Sequence, residues 1–341
     1  MPYLNAAADS CNKVEDSRIN YLRTIRGYVQ YILGLPTDHV ESINQFGTGP
    51  AISEIASTAE KLGYMGVFVT DHPAPPKSFL DAGGHHTLDP MITLASAATS
   101  TTKLNILTNL FIVAYRNPLM VAKSVATLDN LSQGRLILGV GAGYLKEEFK
   151  AAGVDYQTRG ELLNGHLEIM QQAWTGNPVS IANERYEAEE ILSLPTPLQR
   201  SDSLGPPIWV GGNSNNAIDR VVRYGQGWIP MPTPKGVDKF VQTSPINDLE
   251  SLEKRINSLL EKWTQNNREG KPTIAIGPWD AGHFGTEKWD PEIYLTRIQQ
   301  LTDLGVTHVP IMLSALGGSG TTRTEFLERV EAFAQFAELP A

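Results

Sequence analysis

From residue 28 onward, short runs of β-branched and aromatic residues alternate with longer segments whose apolar positions recur at helical spacing. Runs that read as strands are "YVQYILG" (28–34), "GVFVT" (66–70), "LNILTNLFIV" (104–113), "RLILGVG" (135–141), "PIWVGG" (207–212), "GWIPM" (227–231), "TIAIGP" (273–278) and "HVPIML" (308–313). Helical periodicity covers about 50–62, 88–101, 117–131, 145–174, 213–224, 245–267, 291–304 and 322–337, and Asp89-Pro90 and Asn117-Pro118 form cap-then-proline starts. Such alternation is the mark of parallel βαβ units. It predicts an α/β fold, a single (β/α)8 TIM barrel with loop insertions. Segment 175–206, with "TGNP", "LPTPLQ" and "GPP", predicts an irregular excursion before the fifth strand. In a barrel of this kind the chemistry sits in the loops that follow the strands. The segments of interest are therefore "TDHPAPP", "TNLFIV", "GVGAGY", "GGNSNNA", "PMP" and "GP".

Composition narrows the function classes. The 341 residues are 41% hydrophobic and 19% charged, enough for a large core, and no apolar run approaches the ~20 residues of a membrane helix. The formal charge of −9 is spread without blocks of one sign, which argues against a nucleic-acid surface or an anionic-membrane anchor. Cys11 is the single cysteine, so an intrachain disulfide and a multi-thiolate metal site are excluded. The first 25 residues lack the apolar core of a secretion signal. They are expected to be an N-terminal extension (1–25) to a barrel spanning 26–341, in a cytoplasmic protein.

Several strand ends carry candidate chemistry. Asp71-His72 would place a carboxylate and an imidazole at the barrel mouth, for proton exchange or a hydrogen bond to a heteroaromatic ring; alternatively Asp71 caps a turn and His72 packs beneath it. Gly139, Gly141 and Gly143 form a ladder without dinucleotide-fold spacing; Gly139 suits close packing, and Gly141 and Gly143, at the rim, suit a ligand neighbour. "GGNSNNA" (211–217) leads from a strand into a helix start, a ready anion site, or an ordinary turn capped by Asn213 or Ser214. His85 and His86 splay apart as neighbours and no further ligand completes a metal site, so no metal is expected. Glu147 and Glu148 open a helix and complement its dipole. Loops 72–88, 175–206 and 278–290 are expected to shape a substrate pocket, with Trp209, Trp228, Trp279 and Trp289 as aromatic surface there or as core.

The blocks "AEKLGYMGVFVTDH" (59–72), "LDPMITLASAATSTTKLNILTN" (88–109), "YRNPLMVAKSVATLDNLSQGRLILGVGAGYLKEEF" (115–149) and "PPIWVGGNSNNAIDRVVRYGQGWIP" (206–230) resemble the luciferase-like family of flavin- and deazaflavin-dependent oxidoreductases. The likeness extends over nearly all of 28–340. It implies a flavin-type ring at the barrel mouth, coenzyme F420 or FMN, with F420 slightly favoured. It places His72 against the ring, with Asp71 before it. It matches Thr108, Asn109 and Leu110 to a third-strand bulge, with a cis peptide at Asn109–Leu110. Gly211, Gly212, Asn213 and Ser214 match a phosphate cradle, and Gly141 and Gly143 a pocket rim. Sugar-phosphate dehydrogenases of the deazaflavin branch carry a Trp after the Asp-His pair and a Glu after the glycine ladder. Here those places read "DHPAPP" and "GAGYLKEE", with Tyr144 at the Glu position as a candidate catalytic group. The expected activity is hydride transfer to or from a small organic substrate. The alternatives are an O2-using, reduced-FMN monooxygenase served by a flavin reductase, and a non-catalytic flavin-binding protein. A homodimer is the expected assembly.

Overall fold

Strand β2 (Gly66–Val69) shows how the chain builds its core: all four residues are buried, because a parallel strand covered by helices has no wet face. Phe68 points into the barrel with Ile32, Leu107, Ile137, Trp209, Ile229 and Ala275, whereas Val67 and Val69 face the helices. The computed structural model describes residues 29–38, 40–200, 204–233, 243–314 and 321–340. The expected extension 1–25, Cys11 and "ALGGSG" (315–320) lie outside the described residues.

The barrel order starts with β1 (Gln30–Gly34), followed by α1 (Gly49–Lys61), β2, α2 (Pro90–Thr99), β3 (Asn105–Thr108), α3 (Pro118–Leu131) and β4 (Leu136–Val140). Then come α4 (Lys146–Ala151), α5 (Arg159–Trp174), the hairpin β5 (Val179–Ala182) and β6 (Glu187–Ile191), β7 (Ile208–Gly211), α6 (Asn215–Tyr224) and β8 (Gly227–Ile229). The last elements are α7 (Leu249–Gln265), β9 (Thr273–Ile274), α8 (Pro291–Asp303), β10 (His308–Ile311) and α9 (Arg323–Phe336). Eight strands pair in parallel in the order β10-β1-β2-β3-β4-β7-β8-β9. A bridge between Ala275 and His308 brings the two ends of that sheet together. The predicted barrel is the observed architecture, and Asp89 and Asn117 cap α2 and α3 as their Pro-bearing starts require.

Three expectations are corrected. The single helix expected over 145–174 is two, α4 and α5, because Gly153 and the Asp155-capped turn at Tyr156–Thr158 interrupt it. Segment 175–206 is not wholly irregular: β5 and β6 form an antiparallel hairpin whose Val179 and Ile181 pack on Ile169 of α5. The third strand, expected to run to residue 113, ends at Thr108. After the cis peptide at Asn109–Leu110 the chain touches the sheet again where Phe111 bridges Val140. Gly139 permits this: a Cβ there would fall 1.9 Å from the Thr108 carbonyl oxygen, so β3 and β4 approach only without a side chain.

Candidate functional site

The C-terminal ends of the barrel strands surround a cavity of about 1010 Å³. That is at the upper end of ligand pockets, roughly 300–1,000 Å³, with room for a large cofactor and a substrate together. Asp71, His72, Asn109, Leu110, Gly141, Gly143, Tyr144, Gly211, Gly212 and Ser214 all line it. Thr108 and Asn213 do not line it and are fully buried behind it. Thr108 Oγ1 donates to the Gly139 carbonyl at 2.8 Å, and the Asn213 side chain ties the end of β7 to Met231 and Ser244.

At one end of the cavity His72 is the centre of a polar network. Its Nδ1 lies 3.2 Å from Glu148 Oε2, and its Nε2 lies 3.4 Å from the Tyr144 hydroxyl. Glu148, on α4 and 2% exposed, also accepts from Tyr115 Oη at 3.0 Å and from the backbone N–H of Ala74 at 3.2 Å. An ionised Glu148 can only accept, so it holds the proton of a neutral His72 on Nδ1 and leaves an acceptor at Nε2. Burial, and then the Glu148 charge, push the Tyr144 hydroxyl up to about 12, so it stays a donor at neutral pH. The same causes raise Tyr115 further.

Asp71, expected among the catalytic groups, has both oxygens committed elsewhere. Arg116 Nη1 and Nη2 donate to them at 2.6 and 2.9 Å, and the Ile112 N–H donates at 2.9 Å. It therefore acts as a positioning residue that ties the β3 exit loop to the end of β2. Gly211, expected in the phosphate cradle, also serves the protein itself: a Cβ there would fall 2.0 Å from Leu110 Cδ1, so the glycine makes room for that side chain.

Where β7 leads into α6 the cavity suits an anion. Ser214 caps α6 by accepting from the Ala217 N–H, and the earlier first-turn N–H groups have no helical partner. Arg159 and Arg220 also line the cavity. Arg220 is 9% exposed, donating to Asn164 Oδ1 at 2.7 Å and the Gly160 carbonyl at 3.1 Å, both neutral. Arg159 stacks 3.8 Å over the Tyr156 ring. Among the described residues no carboxylate lies within 4.0 Å of either guanidinium. Burying a charge without a counter-ion is costly, so the buried Arg220, with the half-buried Arg159 beside it and a helix N-terminus, fits a phosphate-bearing cofactor.

Glu148, Tyr115, Arg159 and Arg220 escaped the sequence reasoning because helices deliver them, or in the case of Tyr115 a loop turn, rather than strand ends. The available signal was the Glu147-Glu148 pair on a short helix, of which one must turn inward. The four tryptophans are absent from the lining, and Trp209 and Trp228 are core. Trp279 and Trp289 pack against the outer cluster. Of the three loops expected to shape the pocket, 72–88 and 278–290 contribute lining residues, and among its described residues 175–206 contributes none. Among the described residues no group of three His, Cys, Asp or Glu could hold a metal ion, and no helix is long and apolar enough to cross a membrane.

Residues 35–243 match the sequence model of a family described as luciferase-like monooxygenase. The chain is 31% identical over 193 residues to the F420-dependent hydroxymycolic acid dehydrogenase of Mycobacterium tuberculosis, covering 56% of this chain and 51% of that protein. Monooxygenase RslO1 from Streptomyces bottropensis superposes with a TM-score of 0.71 at 18% identity, covering 90% of this chain and 98% of the other. The oxygenating constituent of 3,6-diketocamphane monooxygenase from Pseudomonas putida, solved with FMN, gives 0.68 at 14%, covering 91% and 98%. At these identities the structural likeness speaks for the fold alone. The family match takes in more than half of the sequence and most of the loops around the cavity: the chain belongs to the luciferase-like monooxygenase family.

Proposed function

We propose that the protein is an F420-dependent oxidoreductase acting on a small organic substrate. The observation that carries this is the joint lining of one cavity by His72, bonded through Nδ1 to Glu148, by two arginines without carboxylate partners and by the N-terminus of α6. A flavin-type ring bound there would supply two-electron hydride chemistry. Gly211, Gly212, Ser214, Arg159 and Arg220 would hold its anionic tail, with Asn213 supporting the cradle from behind and Thr108 fixing the end of β3 beside the ring. Asn109, Leu110, Gly141 and Gly143 would line the ring.

The chain's own residues handle the proton. His72 Nε2, whose neighbour in the protein is the Tyr144 hydroxyl, takes the hydroxyl proton of an alcohol as it is oxidised, and returns it when a carbonyl is reduced. Glu148 holds Nδ1 and offsets the positive charge that develops on the imidazole. Tyr144 donates to Nε2 or to a substrate oxygen, and the apolar floor of Leu35, Phe68 and Met312 keeps water from the reacting end. A cytoplasmic homodimer belongs to the same proposal, to be checked by fractionation and light scattering.

The test is titration of the purified protein with F420 and with oxidised and reduced FMN, followed by fluorescence, together with Glu148→Gln and His72→Ala variants. Expected are tight F420 binding in all three proteins and turnover lower by about 10²-fold or more in the variants, the usual worth of a positioned acid-base group. A preference for reduced FMN would instead favour an oxygen-using monooxygenase with a reductase partner. Binding of neither cofactor would refute the proposal.

A further inference from the structure

One titratable group in the cavity takes no part in the network above. His85 lines the cavity, and its ring stands edge-to-face with His72, the centroids 5.0 Å apart at 82°. Its Nδ1 lies 2.7 Å from the carbonyl oxygen of its neighbour His86. A carbonyl only accepts, so Nδ1 carries the proton and a neutral His85 keeps its lone pair on Nε2. Among the described residues Nε2 has no hydrogen-bond partner. Burial lowers the pKa of His85, with the nearby His72 and His86 acting in the same direction, against the hydrogen bond to His86 and the charge of Asp38. At neutral pH the ring is therefore an acceptor without a protein donor among the described residues.

We propose that His85 is a substrate-recognition residue: its Nε2 accepts a hydrogen bond from a hydroxyl adjacent to the group that His72 and Tyr144 handle. This rests on the site assigned under Proposed function and adds a substrate class. With ring centroids 5.0 Å apart, the two imidazoles stand close enough for one small substrate carrying oxygens on neighbouring carbons to reach both. The preferred substrates are 1,2-diols and their α-hydroxy carbonyl counterparts, and monofunctional alcohols leave His85 unpaired. His85 is half-buried, so its unpaired Nε2 favours a substrate that brings a donor, though less steeply than a fully buried acceptor would. Phe79, 5.2 Å from the His72 ring and 6.3 Å from that of His85, packs beside both rings and keeps them in register.

The experiment is nitrogen-15 imidazole NMR on histidine-labelled protein, with and without saturating cofactor, using 1,2-propanediol, hydroxyacetone and 2-propanol as probes. His85→Phe and His85→Gln assign the signals, and Gln keeps an acceptor. Expected are the neutral Nδ1–H form of His85 at pH 7.5 and saturable shifts of its Nε2 with the two bifunctional probes. Their affinity should exceed that of 2-propanol by about tenfold, a preference lost in His85→Phe and partly kept in His85→Gln. An Nε2–H tautomer, equal response to 2-propanol, a preference that survives His85→Phe, or no response to any probe would each overturn the proposal. The cofactor titration is read separately, so a failed cofactor claim and a failed His85 claim give different results.

Discussion

Replacing Arg116 by alanine tests how the loop at the site is held. Arg116 grips Asp71 with both terminal nitrogens, at 2.6 and 2.9 Å, and the Asp71 side chain is 1% exposed. The variant leaves that carboxylate in the protein with one remaining donor, the Ile112 N–H at 2.9 Å. Breaking one side of a buried pair costs about 3–5 kcal/mol, because the stranded charge keeps its desolvation penalty. Loss of the guanidinium 4.2 Å over the Phe111 ring adds about 0.5–1 kcal/mol. Arg116 is itself 24% exposed, and water can reach the space it vacates. The lower end, about 3 kcal/mol, is therefore expected. Urea denaturation followed by far-UV circular dichroism measures it: with a slope of about 3 kcal/mol per molar, the midpoint falls by about 1 M. Adding Asp71→Asn removes the stranded charge while keeping an acceptor for Ile112, and should recover at least half of the loss. A cost under about 1 kcal/mol would mean that the pair behaves as a surface salt bridge. A double variant no more stable than the single one would refute the stranded charge as the cause.

Stability should also fall in mild acid through His308. Burial pushes its pKa from 6.5 down to about 4, so between these values the unfolded chain binds a proton that the folded one refuses. The contribution is complete above the unfolded value and is lost as the pH falls towards 4, about 3 kcal/mol in all. Thermal unfolding at pH 5 and 7.5 should show the loss, and His308→Asn should flatten it; an unchanged slope would count against the assignment. Gly139→Ala, which forces a Cβ against the Thr108 carbonyl, should cost about 3 kcal/mol or more or abolish soluble expression, since backbone cannot step aside as a side chain can. Gly165→Ala, in α5 with nothing within 4 Å of the new Cβ, should stabilise by about 0.5–1 kcal/mol. Equal effects of the two substitutions on the melting temperature would contradict this account.

Periodicity was enough to predict the barrel, because each strand must be apolar on both faces and each helix on one, whatever its neighbours turn out to be. Local chemistry was equally legible: Asp89 and Asn117 cap the helices that Pro90 and Pro118 begin, and strand ends brought Asp71, His72, Gly141, Tyr144 and Ser214 to one cavity. The split between α4 and α5 escaped because a glycine and a turn within an apolar pattern do not reveal whether the axis continues. What His72 does could not be read from the dipeptide Asp71-His72 either. Its partner is Glu148, 76 positions away, and Asp71 is taken up by Arg116, 45 positions away. Sequence thus determined which residues could stand at the mouth, since alternation and turn chemistry act between near neighbours. Only the tertiary structure decided which carboxylate orients the histidine, which one is consumed by an arginine, and which arginines are left without a carboxylate. Those outcomes depend on distances between loops that no local pattern sets, and on burial, which turns an unmet charge into a binding site.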